Sequence, residues 1–125
     1  MQETKYWIWH LISSVVILIL LSIHMITNHL SCLLGWFNPL GGEPTEWGNI
    51  LARGKLFFYG IMYVLLLASG LYHGLFGSRK IIFELGISSG FKKLISIFFI
   101  IIGVFLFIIG CWATFSFYFI ANATF

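Results

Sequence analysis

Four histidines fall in or beside the long apolar runs of this 125-residue chain, at His10, His24, His29 and His73. Imidazole near neutrality can ligate a transition metal, relay a proton or hydrogen-bond a carbonyl. A polar ring held within hydrocarbon is costly, so each buried histidine is a functional hypothesis by default, His73 first. His73 lies six residues before Arg79, roughly 9 Å along a helix with 1.5 Å rise per residue. Met62, Leu66, Ser69, His73 and Gly77 share one helical stripe, and Gly70 and Gly74 flank it. The spacing Gly70-x-x-x-Gly74 has two readings, close helix packing or room for a flat group to approach the backbone.

The other three histidines belong to one helix. On a 3.6-residue period His10, Ser13, Ser14, Ile17, Leu21, His24, Asn28 and Ser31 form a stripe, whereas Ser22 and His29 lie off it. In lipid the polar stripe faces the bundle or a cofactor, so His24 is a better ligand candidate than His29. His29 then reads as an interfacial residue or as part of a ligand's surroundings. His10, close to Trp7 and Trp9, reads either as an interfacial belt residue or as a ligand-binding group.

The elements that must position these groups follow from composition. With 60% hydrophobic and 9% charged residues the chain has no polar exterior for water, which makes it an integral membrane protein. Leu56–Ser78 and Leu94–Phe125 carry no charge, and each exceeds the roughly 20 residues needed to span hydrocarbon. We expect an all-α fold with three transmembrane helices over about 6–30, 53–80 and 91–119, forming a single membrane domain, 1–125. The start shows no small-residue cleavage site after its apolar run, so the first helix is expected to be retained. Leu33–Asn49 is rich in turn residues and is assigned no chemistry. Ser96, Gly103 and Gly110 recur every seven residues, a small-residue seam for a helix crossing. Cys32 and Cys111 fall at different depths, which argues against a disulfide and for two packing residues. No basic face or stripe is present, so nucleic acid is not an expected partner.

Two stretches carry a family resemblance. Tyr72-His73-x-x-x-Gly77-x-Arg79, followed by Glu84 and Gly86, resembles the second helix of the cytochrome b membrane-anchor subunits of succinate dehydrogenase and fumarate reductase. His24-x-x-x-Asn28 resembles the end of helix one in the two-haem members. The resemblance implies half of a cytochrome b helix bundle, with His73 and His24 as axial ligands to haem iron. Ser69, Gly70, Gly77, Asn28 and His29 would be the haem environment. His10-Leu11-Ile12-Ser13-Ser14 stands where single-haem members often carry His-Arg-x-Ser-Gly, and Leu85 where one anchor subunit places a quinone-binding tyrosine. Trp9, His10, Ser13, Ser14 and Arg79 are the quinone candidates of this chain, and Leu11 and Leu85 point to a partner subunit for the main quinone contacts.

Depth separates the two ligands. His24 lies 17 residues past Trp7, roughly 25 Å from the surface that His73 approaches to about 9 Å, and two ligands of one iron sit only about 4 Å apart. Each histidine is therefore expected to serve its own haem, with the opposite ligand from another chain. The implied role is a haem b-binding anchor subunit of a succinate:quinone oxidoreductase, relaying electrons between an iron–sulfur subunit and membrane quinone. Its implied partners are a second anchor subunit, the iron–sulfur and flavoprotein subunits, quinone and lipid. This chain has no dinucleotide fingerprint and only two cysteines, so succinate chemistry belongs to other subunits. A haem-free structural subunit and a small proton-coupled transporter using intramembrane His and Arg are the alternatives.

Lys5, Arg79, Lys80, Lys92 and Lys93 lie toward one surface, and Arg53 and Lys55 toward the other. The asymmetry puts the N-terminus inside and the C-terminus outside and predicts that Arg79–Lys93 docks on the iron–sulfur subunit. The membrane expected is the cytoplasmic membrane of a prokaryote, with the mitochondrial inner membrane as the alternative. Protease or tag accessibility measured on sealed vesicles should find that segment on the cytoplasmic face; exposure on the opposite face would overturn the orientation.

Overall fold

The computed structural model describes residues 2–30 and 40–124, and the helices it contains are set by the apolar runs just described. α1 spans Gln2–Met25 and continues as a π-helical turn over Ile26–Leu30. α2 is a short helix, Trp47–Gly54; α3 spans Phe57–Glu84 and α4 spans Ser89–Ala123. There is no strand among the described residues. Three segments, Glu3–Leu30, Phe57–Glu84 and Ser89–Ala123, are long and apolar enough to cross a membrane. Cys32 and the loop residues up to Pro39 lie outside the described residues, and Cys111 is a free thiol.

α3 is the central element. It runs antiparallel to both α1 and α4, while α1 and α4 do not contact one another. The three long helices thus form an open layer, with little fully enclosed interior beyond Leu51, Tyr59, Met62 and Ala121. Large apolar side chains face outward along all three, as expected where lipid or another subunit replaces water.

The small-residue seam on α4 does what its seven-residue spacing predicts. Leu75 of α3 lies over Gly103, and Leu67 lies so close over Gly110 that a Cβ there would collide with it. Thr114 faces Gly60 further along, and Phe57 meets Tyr118 edge-on, with centroids 6.0 Å apart. Without a hydrophobic drive between helices in lipid, this close van der Waals approach is what holds α3 to α4.

Several boundaries differ from expectation. Helix two does not begin at Arg53: α2 ends at Gly54, Leu56 is extended, and α3 starts only at Phe57. The break lets α2 fold back so that Arg53 is buried, while the Phe117 ring lies against the bare backbone of Gly54. At the other end α3 continues through Glu84 and α4 already includes Ser89 and Gly90, so the connection is only Leu85–Ser88. Gly86, at φ +73°, takes the left-handed position that ends the helix.

Gly110→Leu should force α3 and α4 apart and lower stability by about 1–3 kcal/mol, the usual range for overpacking. Gly90→Ala, which meets no neighbour within 4 Å, should be neutral or slightly stabilising. Thermal unfolding of both variants in detergent compares the two; equal midpoints would remove the seam from the account of α3–α4 packing.

Candidate functional site

Polar side chains collect along the α1–α3 seam in two groups, one at each end. At the amino-terminal end α1 presents His10, Ser13 and Ser14 on one face and α3 presents His73 to them. The His10 and His73 rings stack, with centroids 4.1 Å apart and planes 7° from parallel. Ser14 Oγ lies 3.0 Å and Ser13 Oγ 3.4 Å from His73 Nδ1. The Tyr72 hydroxyl donates to the Tyr6 carbonyl at 3.1 Å and fixes the two helices just beside this group.

The serines hold His73 through Nδ1. Ser13 and Ser14 also lie within donating distance of the His10 carbonyl, at 2.7 and 3.0 Å. A serine that donates to this carbonyl has only lone pairs for His73 and pairs with a protonated Nδ1, whereas one turned to the ring donates to an unprotonated Nδ1. In the first arrangement Nε2 keeps its lone pair. That is the tautomer in which an imidazole binds a metal through Nε2 while its other nitrogen is held by a second group.

Gly77 sits under His10, whose Cε1 lies 3.4 Å from where a Cβ would stand. The space over Gly77 is therefore occupied by the His10 ring. Gly70 and Gly74 are different: a Cβ at either would meet nothing within 4 Å. Their flank of α3 is open, and the half-buried Ser69 lies at the same level.

The second group surrounds His24. Its ring meets Tyr63 of α3 edge-on at 5.6 Å. Asn28 Nδ2 is 3.3 Å from both ring nitrogens, a position over the ring rather than along either lone pair, and it donates to the His24 carbonyl at 2.9 Å. Asn28 Oδ1 in turn accepts from Arg53 Nη2 at 3.3 Å.

Arg53 is the residue the sequence reading placed in a different role. Counted there as a surface charge, it is only 4% exposed, with Nη2 also donating to the Pro44 carbonyl at 2.7 Å and Nη1 buried without a partner. The loop that supplies this carbonyl is organised by Asn49, 1% exposed, which accepts from Leu40 N–H and donates to the Gly41 and Glu43 carbonyls. The segment given no chemistry thus builds the far wall of the His24 group. The available signal was an arginine with no acid at helical spacing on its own element.

Of the remaining expected residues, His29 is exposed at the end of the π-helical turn, away from the seam. Trp9 is 61% exposed on α1 and is not gathered with His10, Ser13 and Ser14. Arg79 stands over the Phe83 ring at 4.9 Å, outside the histidine group. The pairing of His10 with His73 was not foreseen, although both lie at similar depth from the same end. His73 is level with His10 and His24 with Tyr63, ten residues away along α3, roughly 15 Å by helical rise. The fold therefore keeps His24 and His73 apart. Among the described residues no group of three or more His, Cys, Asp or Glu side chains converges on a single point. No family model, curated protein or solved structure matches this chain.

The tautomer is directly measurable. Imidazole nitrogen NMR shifts of His73 should be those of the Nδ1–H form, and the preference should be lost when Ser13→Ala and Ser14→Ala are combined. A wild-type His73 protonated on Nε2 would overturn the first arrangement and turn the serines to the ring.

Proposed function

We propose that this chain is a haem b-binding membrane-anchor subunit of a succinate:quinone oxidoreductase, working beside a second anchor subunit and the iron–sulfur and flavoprotein subunits. The observation that carries the reading is His73, whose Nδ1 is held by Ser13 and Ser14, an arrangement suited to binding iron through Nε2. The open flank at Gly70 and Gly74 supports it, since a planar macrocycle or a partner helix needs backbone it can approach. Haem b, when bound, would supply one-electron transfer, with His73 and His24 as the residues of this chain that would hold it.

This chain's own residues have distinct tasks in that scheme. Ser13 and Ser14 orient His73 through Nδ1, and His10 stacks against the ring. The serine hydroxyls are already engaged by the His10 carbonyl and His73 Nδ1, so of the quinone candidates in this group only His10 keeps an unused ring nitrogen, its Nδ1. Trp9 and Arg79 stand apart from it. At the opposite end His24 is the second axial candidate, braced by Asn28 and Arg53. The separation of roughly 15 Å supports separate irons for His24 and His73, each completed from another chain. The basic end, with Lys5, Arg79, Lys80, Lys92 and Lys93, is the cytoplasmic end that receives the iron–sulfur subunit.

The direct His10–His73 stack favours a second reading, a haem-free structural subunit whose paired imidazoles pack or line a quinone site. A visible spectrum of the purified complex separates the two, because only the first gives reduced b-type bands. His73→Ala should remove one haem and His24→Ala the other, each leaving its counterpart bound. Combining Ser13→Ala with Ser14→Ala should weaken the His73 haem about 10- to 100-fold, the usual effect of losing a ligand's supporting hydrogen bond. Haem per complex, with redox titration of each variant, reads all three; a complex without haem leaves the structural reading.

A further inference from the structure

Because α1 and α4 do not touch, they diverge over α3 and leave a groove of about 990 Å³ at the amino-terminal end of the layer. Its mouth and its depth differ in chemistry. The mouth holds Arg79, Lys80 and Lys92 with Glu3 and Glu84. The depth is apolar, walled by side chains such as Leu75, Phe99, Ile100 and Phe107.

The cations are laid on aromatic rings rather than tied to the acids. Arg79 is 4.9 Å and Lys92 5.6 Å from the Phe83 centroid, and Lys80 is 5.7 Å from that of Phe76. Stacking of this kind holds a charged head at a rim while leaving its hydrogen-bond donors free. Three cations against two carboxylates make the mouth net positive. The apolar part runs from Ser96 to Phe107 along α4, eleven residues or roughly 16 Å. That length matches one leaflet, about half of a 30 Å hydrocarbon core.

We propose that this groove is a binding site for an anionic phospholipid, its phosphate among Arg79, Lys80 and Lys92 and an acyl chain along the face that α3 and α4 share. Net positive charge selects a headgroup of net negative charge over a zwitterionic one, and over a neutral quinone that would use only the apolar depth. The site is separate from the histidine groups and does not rest on haem binding. Basic recesses between spanning helices at one membrane face are a general means of holding acidic lipid.

The test uses the full-length protein in its purified complex, delipidated in mild detergent and titrated with phosphatidylglycerol or phosphatidylcholine in mixed micelles. Retained lipid is counted by native mass spectrometry. Wild type should prefer phosphatidylglycerol. Each surface cation contributes roughly fivefold to binding of an acidic lipid, so Lys80→Gln with Lys92→Gln should reduce that preference roughly thirtyfold. Glu84→Gln should raise it several-fold, a gain that misfolding cannot produce. Ile100→Trp, which fills the apolar depth, should weaken both lipids alike. Equal retention of the two lipids by wild type, or a preference unchanged by both charge variants, would overturn the proposal, as would displacement of the lipid by a neutral quinone at equal concentration.

Discussion

Polar groups carried into an apolar helix have no water to return to, and in this chain that requirement is met almost entirely along the seam between α1 and α3. Ser13 and Ser14 share their hydroxyls between the His10 carbonyl and the Nδ1 atom of His73. At the other end Asn28 closes onto the His24 carbonyl and accepts from Arg53. The first set, with the Tyr72 bond to the Tyr6 carbonyl, fixes α1 on α3 at the His73 end, and the second ties α1 to α2 at the other. The position of His73 relative to the basic end, and of His24 relative to His73, follows from them.

The α3–α4 interface is of another kind. It is built by shape, with leucines of α3 lowered onto glycines of α4, and it carries no hydrogen bond between the two helices among the described residues. One side of α3 is therefore specified by polar pairing and the other by steric fit. Since α1 and α4 leave each other free, the layer stays open, and its outward faces require lipid or a partner chain. Both proposals use that openness: the histidines need ligands from outside the chain, and the groove over α3 needs an amphiphile with a charged head.

Arg53 gives the opposite end its character. A guanidinium held away from water without a carboxylate is expensive, and here the carbonyl of Pro44 and the amide of Asn28 offset part of that cost. The π-helical turn at Ile26–Leu30 adds to the irregularity beside it, bringing Thr27 to full burial while His29 turns outward. Such turns concentrate where a helix must aim a side chain that regular geometry would misplace.

The apolar runs were enough to determine three long helices, because a segment that must satisfy its own backbone in hydrocarbon has only the helix to adopt. The 3.6-residue period likewise identified the face bearing Ser13, Ser14, His24 and Asn28, set His29 apart from it, and marked Gly103 and Gly110 as the seam for α3. Periodicity fixes direction around a helix axis. It does not fix which residue of the neighbouring helix arrives opposite, and so the stack of His10 on His73, the serine contacts to His73 Nδ1, and the seating of His10 over Gly77 came only from the packed structure. The burial of Arg53 was hidden for a related reason. A charge count records sign and sequence position, whereas burial depended on α2 breaking from α3 at Gly54 and on a carbonyl at Pro44, contacts made across a fold that no local window contains.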